Sequence, residues 1–101
     1  MENVTQAFVK ELQSQGKKIL VQYTAKWCGP CKSLTPKLEL INNDYSNVTF
    51  VKVDVDENRE EIVELSIMAV PTVMIFNGEN LVDRSTGLKP DSHYKNILNG
   101  L

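Results

Sequence analysis

Two cysteines stand with two residues between them, in the order Trp27-Cys28-Gly29-Pro30-Cys31, and are the only thiols in this chain. Thiols so spaced can cycle between dithiol and disulfide, supply half of a metal site, or form a permanent bridge. A closed zinc site needs a tetrahedral set of ligands. The chain adds a single histidine, His93, far away in sequence, so a metal would have to be shared between two chains. A permanent bridge between near neighbours closes too small a loop to stabilise a fold much. Redox chemistry is the strongest of the three readings, and Cys28 and Cys31 are the candidate catalytic pair.

The elements around the pair assign roles to it. Residues 19–25 are short, β-prone and mostly apolar, as in a buried parallel strand. Pro30 has a fixed φ and no amide hydrogen, which suits the first turn of a helix. The pentapeptide therefore lies at the carboxyl end of a strand, where open α/β sheets place their sites. Cys28 falls at the helix cap and Cys31 one turn further in, a separation that can close a disulfide. The free amides and positive dipole end of the helix favour thiolate over thiol. Thiolate is the attacking species in disulfide exchange. Cys28 is expected to be the exposed attacker and Cys31 the more buried resolver.

The rest of the pattern alternates helix and strand. Val4, Phe8 and Leu12 predict a first helix face, stopped at Gly16. Leu34, Leu38, Ile41 and Tyr45 mark a second. A strand follows over 48–55, with Val51, Val53 and Val55 on one face. Capping groups from Asp54 to Asn58 announce a short helix through about Leu65. Residues 72–76 form another buried strand. Asn77-Gly78 signals a hairpin into an antiparallel strand over 81–85. Asp91 or Ser92 caps a last helix, with Tyr94, Ile97, Leu98 and Leu101 on its apolar stripe. The prediction is one α/β domain over 1–101, with a central mixed sheet and helices on both faces.

Composition excludes several function classes. A chain of 101 residues fits a single domain with its own core. Its net charge of −2 leaves no electrostatic footprint for nucleic acid or an anionic membrane. No apolar run approaches the roughly 20 residues of a spanning helix. The start, Met1-Glu2-Asn3-Val4, lacks the basic and apolar regions of a secretory signal. A reducing cytoplasm is the expected compartment, where a paired cysteine motif is more often catalytic than structural.

Taken together, Trp27-Cys28-Gly29-Pro30-Cys31-Lys32, Pro36, Lys52-Val53-Asp54-Val55-Asp56, Val70-Pro71-Thr72, Asn77-Gly78-Glu79 and Gly87 resemble the thioredoxin family over nearly the whole chain. The resemblance implies the thioredoxin fold, with about four to five strands in the sheet. It implies a protein-disulfide reductase and electron carrier that works as a monomer without metal or cofactor. Disulfide-containing proteins would be its substrates and thioredoxin reductase, or another donor, its source of electrons. It implies a cis bond before Pro71, and a substrate surface built from Trp27, Ala69, Val70, Pro71 and Gly87. Trp27, Gly29, Pro30, Lys32, Gln22, Lys52 and Pro71 would support the pair.

The sequence departs from the family pattern in places. Gln22 stands where many members carry a buried aspartate thought to move the proton of the second cysteine. An amide can hydrogen-bond but cannot accept a proton at neutral pH. Lys52 thereby loses its carboxylate neighbour. Thr24 replaces a common aromatic residue, and the usual first strand has room only to be short or absent.

Each remaining feature also has a bland reading. Trp27 reads as substrate platform, whereas Tyr23 and Phe76 read as core. Lys26 and Lys32 read first as solvated lysines. The acidic stretch from Asp54 to Glu64 reads as a solvated face, and His93 as a solvent-facing residue. Met68 is placed beside the substrate loop or in packing. Two other functions compete: an oxidant or isomerase, and a redox-independent binding module with the same fold. The Gly-Pro pair and the intact cysteines argue against them.

Overall fold

Alternation along each strand decides which side of a sheet its residues face. In the computed structural model, which describes residues 1–101, the chain runs β1 (Glu2–Asn3), α1 (Gln6–Ser14), β2 (Lys18–Thr24), α2 (Gly29–Asn42), β3 (Thr49–Asp54), α3 (Arg59–Glu64), β4 (Thr72–Asn77), β5 (Asn80–Thr86) and α4 (Asp91–Asn99). The five strands form one mixed sheet in the order β1-β3-β2-β4-β5. β1 and β2 run parallel to β3, and β4 runs antiparallel to both β2 and β5. The fold is the α/β arrangement expected from the sequence. β1 is short, pairing only Glu2 with Val51 and Asn3 with Lys52.

The alternation splits the core in two. Val21, Tyr23, Val51 and Val53 face α1 and α3, where Val9 and Ile62 meet them. Leu20, Phe50, Val73 and Ile75 face the other way, onto Leu34 and Leu38 of α2 and Tyr94 and Leu98 of α4. β2 is buried along its length and sits between β3 and β4. Its carboxyl end delivers the cysteine pentapeptide. The Asn77-Gly78 signal holds, with Asn77 paired to Asn80 and Gly78 at φ 61°, a region that favours glycine.

Three local expectations are corrected. The first helix buries Gln6 and Val9, whereas Phe8 is exposed and Val4 precedes the helix, its N–H donating to Lys52 O at 2.8 Å. The phase shifts because Gln6 is drawn inward to accept the Tyr23 hydroxyl at 2.8 Å. α4 is capped by Pro90 with no side-chain bond, and Asp91 lies inside the first turn, where its charge still suits the helix dipole. Asp54 does not belong to a solvated face. It is buried, and its carboxylate accepts the N–H groups of Asp56 at 2.8 Å and Glu57 at 3.3 Å.

Candidate active site

β2 ends at Thr24, and the chain turns at once into α2. The Ala25 carbonyl accepts the Cys28 N–H at 3.1 Å and closes this turn. Cys28 takes the N-cap position with an extended backbone, and Pro30 sits in the first turn. Its sulfur does what a serine or aspartate cap oxygen does: it accepts the Cys31 N–H, at 3.2 Å. Such a donor stabilises negative charge on sulfur, and the helix dipole adds to it. Cys28 and Cys31 are joined as a disulfide with their Cα atoms 5.3 Å apart.

The expected contrast in exposure is much weaker than foreseen. Cys28 is 4% exposed and Cys31 1%. Ala25, Val55 and Val70, from three separate segments, pack against the pair and close it in. Cys28 keeps only a narrow opening. Gly29, Pro30 and Lys32 are exposed around it.

Behind the pair lies a polar network. Gln22 is fully buried on β2, and its side-chain N–H donates to the Cys31 carbonyl at 3.1 Å. Thr35, one turn beyond Cys31, places its hydroxyl 3.0 Å from the Gln22 amide oxygen and 3.1 Å from the same carbonyl. Sequence reading missed Thr35. The signal available was its i, i+4 spacing from Cys31, which lets a threonine bond back to the preceding turn. Lys52 stands directly across from Gln22 on β3 and is half-buried. It lines a cleft of about 170 Å³ together with Cys31, Thr35, Lys26, Lys32 and Asp54.

The other side of the pair is apolar. Trp27 is 68% exposed. Its indole N–H donates to the Asp56 carboxylate at 2.9 Å, which fixes the ring. The Val70–Pro71 peptide is cis. Thr72 donates its hydroxyl to the Ala69 carbonyl at 2.6 Å, and the Gly87 N–H donates to the Pro71 carbonyl at 2.8 Å. Those bonds hold Ala69, Pro71 and Gly87 in place while the Val70 main chain keeps its amide and carbonyl free of backbone partners. Trp27, Val55, Ile62, Ile67, Met68 and Val70 line a shallow groove of about 120 Å³ beside the disulfide. His93 is not the solvent-facing residue expected. It is half-buried against β5, with Nε2 3.1 Å from the Asp83 carboxylate, and takes no part in this arrangement.

The chain as a whole has many known counterparts. The family model described as Thioredoxin matches residues 1–99. A thioredoxin from Mycoplasmoides gallisepticum is 39% identical over 99 residues, covering 97% of this chain and 99% of that protein. A bifunctional thioredoxin reductase/thioredoxin from Mycobacterium leprae is 39% identical over 84 residues, which are 82% of this chain and 18% of that protein. The structure of Plasmodium falciparum thioredoxin superposes with a TM-score of 0.87 at 33% identity, covering 99% of this chain and 98% of that one. The chain thus belongs to the thioredoxin family, and with the Cys28–Cys31 couple it acts as a thiol–disulfide oxidoreductase that reduces disulfides in other proteins.

Proposed function

We propose that Cys28 attacks the substrate and Cys31 resolves. In the reduced protein the Cys28 thiolate attacks one sulfur of a substrate disulfide. A mixed disulfide forms, and the other substrate sulfur leaves as thiolate. Cys31 then attacks Cys28, the mixed disulfide breaks, and the substrate departs with the electron pair that the two cysteines have lost. The observation that carries this order is the N–H of Cys31 pointing at the Cys28 sulfur at the helix cap. It stabilises the thiolate of the first residue and not of the second.

The remaining residues take supporting roles in this reading. Cys31 must lose its proton, and the Gln22 amide beside it cannot accept one. The proton passes to the leaving thiolate or to water in the cleft. Lys52 and Lys32 line that cleft, and their positive charge favours a thiolate there. Trp27, Ala69, Val70, Pro71 and Gly87 form the substrate surface, and the free Val70 main chain pairs with an extended substrate segment. Gly29 and Pro30 keep the cap compact. A thioredoxin reductase is the donor that fits best, since one relative carries reductase and thioredoxin in a single protein. The protein works as a monomer in the cytoplasm.

Insulin-disulfide reduction tests the proposal, driven first by dithiothreitol and then by NADPH with a thioredoxin reductase. Activity is expected with both. Cys31→Ser should trap a mixed disulfide with substrate on a non-reducing gel, and Cys28→Ser should not. Trapping through Cys31 instead reverses the roles.

A further inference from the structure

The chain contains two cysteines and three methionines, and in the disulfide state their sulfurs differ sharply in accessibility. The cysteine sulfurs are bonded to each other and buried. Met74 is 2% exposed within the sheet core, and Met1 is packed against the second core. Met68 is 95% exposed. Its side chain nevertheless stands at the rim of the apolar groove that runs from Trp27 to Val70 beside the disulfide. A bare thioether at the edge of a docking surface has two properties at once. It is a flexible apolar contact for varied partners, and it is the sulfur most open to oxidants.

We propose that Met68 is an oxidation-sensitive docking residue: peroxide converts it to the sulfoxide when the protein is in its disulfide form, and the modified groove binds protein substrates less well. The step balances. The thioether sulfur gives up an electron pair to hydrogen peroxide and gains one oxygen, and the peroxide is reduced to water. No cysteine is consumed, because both are already protected in the disulfide. The change replaces an apolar tip by a polar, chiral one. The groove's occupant is an extended segment flanking the substrate's cysteine, laid along the free Val70 main chain with an apolar side chain over Trp27 and Met68. The proposal rests on the substrate surface assigned above. Sulfoxide chemistry is reversible by dedicated reductases, so the device lowers reduction of protein disulfides while oxidant persists and then resets.

The oxidised protein is treated with hydrogen peroxide, and each methionine peptide is followed by mass spectrometry. Met68 is expected to oxidise at least about tenfold faster than Met74. After removal of peroxide, KM for insulin should rise by roughly threefold or more, with kcat little changed. Turnover of hydroxyethyl disulfide, too small to fill the groove, should not change. Met68→Leu keeps the bulk without the sulfur, so its KM after treatment should equal its own untreated value. Comparable oxidation of Met68 and Met74 overturns the inference. So does an insulin KM unaffected by the sulfoxide, or a rise that persists in Met68→Leu. If untreated protein fails to reduce insulin, the functional assignment fails instead, and the two failures are thereby distinguished.

Discussion

A fully buried glutamine next to a redox cysteine is an unusual choice of chemistry, because it offers hydrogen bonds and no proton exchange. Gln22 uses its N–H on the Cys31 carbonyl and its oxygen on the Thr35 hydroxyl. A carboxylate there could accept from Thr35 but could not donate to the carbonyl. Gln22→Asp is therefore expected to do two things. It should add a titrating group to the pH profile of insulin reduction between about pH 6 and 9. Burial raises that carboxyl's folded-state pKa, so the variant's stability should be greatest in acid and fall as pH rises through the raised value. An unchanged activity profile would count against a dithiol that works without an acid–base partner. Thr35→Val tests the other half of the network. It leaves the buried Gln22 oxygen without its donor and should cost about 1–2 kcal/mol in urea unfolding. The cysteine pair was legible because its chemistry is contiguous in sequence. Thr35 was not, because its partner Gln22 lies 13 residues away and only the packed helix brings them together.

Elements here are fastened to one another by side chains as well as capped locally. Asn58 heads α3, yet it makes no cap bond there. Its side-chain N–H donates to the Asp54 carbonyl at 2.8 Å, and its oxygen accepts the Gln6 N–H at 3.1 Å. The first turn of α1 is thus capped from 52 residues away, in addition to Thr5, whose hydroxyl accepts the Phe8 N–H at 3.2 Å. Asn58→Ala orphans the buried Gln6 N–H, at about 1–3 kcal/mol, and removes one of two bonds to the Asp54 carbonyl, which also accepts the Glu57 N–H at 3.3 Å. A loss of roughly 2–4 kcal/mol is expected in urea unfolding. Thr5→Ala removes a solvent-exposed cap and should cost only about 1 kcal/mol. Equal losses for the two variants would contradict the long-range cap. This arrangement also explains which elements could be read in advance. Strand alternation and the periods of α2 and α4 follow from apolar residues alone, and those elements stand where the pattern put them, except that Tyr45 and Leu101 lie just past the ends of α2 and α4 and pack on the same core from there. The face of α1 was misjudged because Gln6, a polar residue, is buried to serve Tyr23. Apolar periodicity carries no trace of a polar residue recruited by a distant strand.

The whole molecule places one fully enclosed tyrosine on each side of its sheet, Tyr23 with α1 and α3 and Tyr94 with α2 and α4. Both phenols are harder to ionise than in solution, chiefly because burial disfavours the charged form. For Tyr23 the pKa is pushed from 10.0 up to about 12, with the Gln6 hydrogen bond only partly offsetting desolvation. A raised folded-state pKa means that the native protein holds this proton more tightly than the unfolded chain. Its contribution to stability is fully present below pH 10.0 and is lost as pH climbs toward about 12. In that window one such group lowers unfolding free energy by about 1.4 kcal/mol per pH unit. Tyr23 lies on the α1–α3 side, the side that also carries Val55, Ile62 and Ile67 of the groove beside the disulfide. Tyr23→Phe removes the titration while keeping the ring. Its stability at neutral pH should fall, because Gln6 loses its partner. Its decline between pH 10 and 12 should be shallower than that of the unmodified protein by about 1.4 kcal/mol per pH unit. Urea midpoints at closely spaced pH values give both slopes, and Tyr94, present in both proteins, cancels from their difference. Parallel slopes would mean that Tyr23 keeps its phenol neutral no more strongly than the unfolded chain does.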